Sequence, residues 1–418
     1  MRPEVARSAS PRQWPALGAC MLIPAIGNGV FISCFPLWVI PWMNEFHVPR
    51  STALIGFAVG NLVMGLVSPI VGRALERYPA RMSVTLGGVA LAAGFLLGSI
   101  AHSFWQIIAL YASVLALGAA FTGMLPAQSV AVCIVPHKAG TISGLITLGI
   151  SAGGIVMPGV LTGPVASLGW RAAFLITSAI VLLTIAPAGW FLLRGYGGRG
   201  VAAHGNAPDS GTEAAPYSTR ALFRNLAFWV PLMGVVPAMF VVGTVLPNTV
   251  AIAADSGIAI GVAGYLVPAI AAGGMVGSVG LGWLCDRFDY RWVFGATAAA
   301  VVLALLLLLG HVGPLPMALA FFVVGVTAGG VFPVVGVMVV RSFGPLAFAR
   351  IMGMMMPALV IAMAIAPVIA GWVRDQTGSY AVAFAYCAGL MLVSGAAVFA
   401  LRIAPVKPGV AGAVLPAT

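Results

Sequence analysis

Polar and apolar positions do not alternate along this chain; they arrive in blocks. Apolar blocks of roughly 20 residues recur twelve times, at 16–42, 52–75, 82–101, 104–133, 138–165, 172–193, 226–253, 258–284, 291–311, 314–340, 347–373 and 380–402. A block of that length crosses about 30 Å of hydrocarbon as an α-helix. Strands would need a period of two, and lipid offers no partner to the edge of an open sheet. The pattern predicts an all-α integral membrane protein with twelve transmembrane helices, called spans one to twelve below.

Composition supports this. Charged residues are 7% of the chain, hydrophobic ones 61%, and mean hydropathy is +1.08, whereas an ordinary soluble domain is about 25% charged. Of the 20 Lys and Arg, all but Arg50, Arg171 and Arg374 fall on one side of the predicted membrane. By the positive-inside rule that side is the cytoplasm, and it holds both termini. The net charge of +11 is therefore topology plus attraction to lipid headgroups, and calls for no nucleic-acid partner. Residues 1–15, "MRPEVARSASPRQWP", contain no apolar core and read as a basic cytoplasmic arm, so span one is expected to direct insertion. Cys20, Cys34, Cys133, Cys285 and Cys387 make no metal-ligand or redox spacing and read as packing residues.

The chain repeats itself. "GRALERYPAR" after span two places Gly72, Glu76, Arg77 and Arg81 at the spacing of Gly282, Asp286, Arg287 and Arg291 in "GWLCDRFDYR" after span eight, 210 residues later. Span four reads "GAAFTGMLP" and span ten "GVTAGGVFP", with Gly118, Gly123 and Pro126 matching Gly325, Gly330 and Pro333. Phe174 matches Phe384 at the first shift again. Three matches in one order predict two homologous six-helix bundles, 16–193 and 226–402. A polar, Gly- and Ala-rich linker at 194–225 joins them, and a tail follows at 403–418.

On these features the sequence resembles the major facilitator superfamily over nearly its whole length. The resemblance implies two pseudo-symmetric bundles working by alternating access, as a monomer. It implies that the acid and arginines of the repeated loop form a cytoplasmic cluster that helps lock one state, a gating role for Gly72, Glu76, Arg77, Arg81, Gly282, Asp286, Arg287 and Arg291. Here Glu76 replaces the usual Asp, and Pro79 interrupts the first copy. The stretches 139–174 and 46–72 look like monocarboxylate and oxalate/formate porters. Two family patterns are absent: Val114 stands where drug/proton antiporters carry an arginine, and Leu37 stands near the place of the carboxylate porters' lysine.

The middle of no span contains Asp, Glu, Lys, Arg or His, so the expected cavity is apolar with a few neutral hydrogen-bonding groups. In the family, spans one, four, seven and ten line it. The candidate substrate-binding residues are Asn28, Phe31, Phe35 and Trp38 in span one, Thr122 and Gln128 in span four, and Thr244 and Asn248 in span seven. The asparagines lead because a buried amide needs partners. The aromatics share a helical face, with packing or lipid contact as the competing role, and Trp42 reads as part of an interfacial belt. Prolines 24, 36 and 41 in span one and 237 and 247 in span seven are expected to break corresponding helices near the site.

The function expected is a secondary active or facilitative transporter of a small organic solute, with monocarboxylates as the candidate class; an exporter of lipophilic compounds is the alternative. No catalytic motif, cofactor or metal site is expected. Protons are the candidate coupling ion; the titratable groups at the outer edge include Glu45, His47, His102, Asp255 and His311, of which Glu45 and Asp255 are the candidates to carry them. The location expected is a bacterial inner membrane.

Overall fold

The computed structural model describes residues 14–48, 50–194, 222–223, 225–258, 267–310 and 313–401. The basic arm up to residue 13, most of the 194–225 linker and the tail lie outside them.

Every regular element among the described residues is helical. Span one is α1 (Trp14–Asn28) and α2 (Phe35–Phe46), separated by a π-helical turn, Gly29–Ser33. Spans two and three are α3 (Arg50–Arg77) and α4 (Ala80–Ser99). Span four falls into three pieces: α5 (Phe104–Leu110), a second π turn at Tyr111–Leu115 leading into α6 (Ala116–Thr122), and α7 (Met124–Ile134). Spans five and six are merged in α8 (Ala139–Pro187). Span seven is α9 (Leu226–Val245) and α10 (Thr249–Asp255). Spans eight to twelve are α11 (Val267–Arg287), α12 (Tyr290–Leu308), α13 (Pro314–Phe343), α14 (Phe348–Thr377) and α15 (Ala381–Ala400).

Eleven helical stretches among the described residues are long and apolar enough to cross a membrane. The twelfth predicted span is not missing. Residues 136–192 count as one stretch, yet Gly169 inside it has φ 83° and ψ 167°. That left-handed geometry costs a residue with a Cβ far more than glycine, and it turns the chain between spans five and six.

The described residues form two compact units. One runs to His137 and resumes at Gly149; the other comprises Lys138–Leu148 and the chain after the linker. The opening turns of α8 thus pack with the second unit. In the first unit α4 meets α6 closely enough that a Cβ on Gly118 would strike the Leu91 backbone, and the Ser178 hydroxyl ties α8 to α4 by donating to the Ala92 carbonyl at 2.8 Å. In the second unit, α11 and α13 touch backbone to backbone. A Cβ on Gly273, Gly277, Gly325 or Gly329 would run into a main-chain carbonyl of the facing helix. Small residues at such spacing let helices meet in lipid, where no hydrophobic drive favours helix over lipid.

Candidate functional site

Three helix breaks meet in the first unit. The π turn after α1 ends where Pro36 opens α2, and a proline there has no N–H to continue the ladder. The second π turn begins at Tyr111. Phe31 of the first stacks on Tyr111 of the second, ring centroids 5.5 Å apart and 28° from parallel, so the two π turns lie against each other. Such turns concentrate at functional sites. The third break is Gly123, whose ψ of −160° separates α6 from α7. A Cβ there would sit 3.7 Å from the Asn28 amide nitrogen.

Three of the candidates, Asn28 of span one and Thr122 and Gln128 of span four, can be placed against this geometry. Asn28 donates to the Pro24 carbonyl at 3.2 Å, and the buried Thr122 hydroxyl donates to the Gly118 carbonyl at 2.9 Å while lying against Gly27. Asn28 and Thr122 therefore flank the α6–α7 break together. Gln128, on α7, is 0% exposed, and neither amide atom has a hydrogen-bond partner. An unsatisfied buried amide costs about 1–3 kcal/mol, a cost that is common at functional sites and rare elsewhere.

Phe31, Phe35 and Trp38 share a face, and it points into the protein: they are 1%, 1% and 0% exposed. Trp42 corrects the sequence reading. Expected in an interfacial belt, it is 1% exposed and packs edge-on against Phe35 (5.6 Å), Tyr111 (6.0 Å) and Phe174 (6.1 Å). Trp38 meets Phe174 at 4.9 Å. Charge-poor aromatic patterning cannot distinguish a belt from a core, because both want an amphipathic ring; only the partner spans decide. The indole nitrogens of Trp38 and Trp42 and the Tyr111 hydroxyl are buried without hydrogen-bond partners. Trp38 lies beside Tyr111 without reaching hydrogen-bond geometry. Tyr111, unmarked in the sequence reading, sits in "LYASVLALGAA", whose only signal was an aromatic in a span expected to line the cavity.

In the second unit the helix break falls at Leu246–Asn248, between α9 and α10 and at Pro247. Pro36 and Pro247 thus mark corresponding breaks, whereas Pro24, Pro41 and Pro237 lie inside continuous helices. The Asn248 amide donates to the Thr244 carbonyl at 2.9 Å and accepts from the Tyr380 hydroxyl at 3.3 Å. Thr244 is buried and accepts from the Cys387 thiol at 3.6 Å. Both candidates are engaged in tying α9 and the turn after it to the start and middle of α15.

The repeated loop shows a capping geometry. Asp286, near the end of α11, accepts from the Gly140 N–H (2.9 Å), the Thr141 N–H (2.7 Å) and the Thr141 hydroxyl (2.6 Å). A carboxylate on the first N–H groups of a helix meets orphan donors and the positive end of the dipole at once. Gly140 and Gly282 permit it, since a Cβ on either would strike the other's carbonyl. The acid is held by the α8 terminus, not by Arg287 or Arg291. Arg287 lies 4.3 Å over Trp283, and Arg291 begins α12 with its N–H on the Asp289 carboxylate. In the first copy, Gly72, Glu76 and Arg77 close α3, Pro79 is the residue before α4, where a missing N–H is harmless, and Arg81 lies 5.1 Å over Trp190.

Two of the three arginines that depart from the charge asymmetry are paired. Arg171 binds Glu45, which also accepts from the Trp170 indole at 2.6 Å; Arg374 holds Asp255 with two bonds, at 2.8 and 3.2 Å. The third, Arg50, has its side chain outside the described residues.

A family model described as Major Facilitator Superfamily matches residues 17–249 and 232–417. Monocarboxylate transporter 12 of Mus musculus is 24% identical over 417 residues, covering 93% of this chain and 85% of that protein. An uncharacterized MFS-type transporter of Bacillus subtilis (strain 168) is 21% identical over 373 residues, 87% of this chain and 89% of its own. Among solved structures, the fucose:proton symporter of E. coli superposes with a TM-score of 0.71 at 12% identity, over 94% of this chain and 98% of that one, a likeness of fold. These relatives are transporters and not enzymes. With its apolar helices, its doubled loop and a family match from one end to the other, the chain belongs to the major facilitator superfamily and is a multi-pass membrane transporter.

Proposed function

We propose that the protein carries a small organic solute, of the monocarboxylate class, by alternating access across a bacterial inner membrane with both termini in the cytoplasm. The observation that carries this reading is the meeting of three helix breaks in the first unit around neutral, buried polar groups. Discontinuous helices let side chains and freed backbone groups face a solute at membrane depth. The similarity to monocarboxylate transporter 12 over 93% of the chain supports the substrate class. Asn28, Thr122 and Gln128 act as neutral hydrogen-bonding groups, with Phe31, Phe35 and Trp38 as the apolar wall; Thr244 and Asn248 are the neutral candidates of the second unit.

Asp286 on the α8 N-terminus is the gate. The bonds exist in one arrangement of the α8 start and the α11 end, and the cycle breaks and remakes them. The repeated copy at Gly72, Glu76, Arg77 and Arg81 plays the matching part. Coupling is to protons, in symport. Glu45 and Asp255 are held by arginines in the described state, so either carries a proton only after its pair opens.

Uptake into proteoliposomes tests the reading. Labelled pyruvate should accumulate, faster with an inward proton gradient. Accumulation of tetraphenylphosphonium in inside-out vesicles, with no uptake of pyruvate or other small monocarboxylates, would replace it with the export of lipophilic compounds, which the aromatic wall also accommodates.

A further inference from the structure

We propose that Trp38, Trp42 and Tyr111 form a donor site that takes the oxygen acceptors of an otherwise apolar solute, a carboxylate or a conjugated carbonyl, without any positive side chain. The inference rests on the transport reading above and adds to it how the solute is held.

Three observations carry it. The polar atoms of the three side chains are buried and make no hydrogen bond, the Trp38 indole and the Tyr111 hydroxyl lying beside each other, and the residues are 0%, 1% and 0% exposed. An indole N–H can only donate, and a phenol donates as readily as it accepts, so the set asks for an acceptor. Its surroundings are rings: Phe35 lies 5.3 Å from Tyr111 and 5.6 Å from Trp42, both edge-on, and Phe174 lies 4.9 Å from Trp38. Apolar walls with a few converging polar groups are the make-up of a small-molecule site. Finally, Tyr111 and Phe31 each sit on a π turn, and these two turns stack on each other. A π turn breaks the regular ladder, so the wall around the donors is built where the helices are easiest to rearrange.

The arrangement explains how a carrier without a lysine or arginine at membrane depth could select an acid. One carboxylate with a compact apolar body can satisfy the donors while its body replaces ring contacts. A second carboxylate would find no further donor among these rings, and Arg171, stacked over the Trp170 ring that packs on Trp42, is already held by Glu45, so the site discriminates against diacids.

The test uses the full-length protein in nanodiscs with benzoate, pyruvate, succinate and tetraphenylphosphonium as probes. Trp38→Phe, Trp42→Phe and Tyr111→Phe each remove a donor and keep a ring. Each should raise the benzoate dissociation constant about tenfold, the weight of one hydrogen bond to a charged group, and leave tetraphenylphosphonium binding unchanged. Succinate should bind more weakly than benzoate in the unsubstituted protein. Should the variants unfold, the unsubstituted protein labelled with 5-fluorotryptophan decides: benzoate must move fluorine resonances, and an unmoved spectrum at saturating benzoate overturns the donor site. Uptake with unaltered affinity in all three variants overturns the donor site and leaves the transport reading standing. Donor-dependent binding without uptake in proteoliposomes does the reverse.

Discussion

Spans four and ten share two glycines and a proline at the same spacing, yet one is broken and the other is continuous. In "GAAFTGMLP" the helix stops at Gly123 and restarts at Met124; in "GVTAGGVFP" α13 runs from Pro314 to Phe343 through Gly330 and Pro333. Proline is common to both, so it does not decide. The neighbours do. Gly325 is pressed against α11 as its counterpart Gly118 is against α4, but Gly329, where span four has Thr122, and Gly330 are pressed too: a Cβ on them would meet the Gly274 and Gly277 carbonyls and the Leu281 side chain. A helix gripped along that length keeps its ladder despite one missing donor. Gly123 faces only its own preceding turn and the Asn28 amide, and nothing holds it straight. Similar sequence, differing at Thr122 and Gly329, thus gave the second unit a rigid rail and the first unit a break beside the candidate site.

The largest expected effect would break that rail. Gly329→Leu drives a side chain into the Gly274 backbone and should cost about 3 kcal/mol, read as a loss of melting temperature in detergent; a small change would mean α13 is not held by α11. Next comes the capping carboxylate. Asp286→Ala should lower stability by about 1–2 kcal/mol and change the balance of inward and outward accessibility, seen in cysteine-labelling rates. Equal effects from Asp286→Ala and Thr141→Val would reduce the role of the backbone donors.

The prolines sharpen the comparison. Pro333→Ala restores a donor opposite Gly329 in an intact helix and should stabilise by about 1 kcal/mol. Pro126→Ala restores one opposite Thr122, where the helix has already stopped, and should leave the melting temperature in place while slowing transport. Identical responses would mean the break lies elsewhere. The smallest effect belongs to a feature the two units share: Glu45 and Asp255, 210 residues apart, each pair with an arginine. Glu45→Gln should cost about 0.5 kcal/mol, as half-exposed ion pairs do, less at high salt.

Much of the architecture was legible because lipid is a simple solvent. It forces each crossing segment into a helix of fixed minimum length, so twelve spans could be counted from apolar runs, and the merged stretch at 136–192 differs only through the turn at Gly169. The proline pattern located the breaks at Pro36 and Pro247. It did not locate those at Gly123 or Tyr111, since a glycine breaks a helix only where neighbours leave it loose, and a π turn has no residue signature. Asn28 and Thr122, both legible as polar groups in cavity-lining spans, lie together. Asn248 was nominated for the same chemistry and is bonded to Thr244 and Tyr380. Trp42 was assigned to the membrane surface and lies in the core.

By itself the sequence determined the solvent, the helical class, the number of crossings, the internal duplication and the charge asymmetry. All of these follow from composition and spacing along one dimension, where burial in hydrocarbon dominates every other term. Only the tertiary structure decided which glycines are clamped and which are hinges, which arginines find acids, that Asp286 caps α8, and that Trp38, Trp42 and Tyr111 gather their unpaired donors among rings. Those depend on which helix faces lie against each other, and packing between equally apolar helices leaves almost no trace in hydropathy.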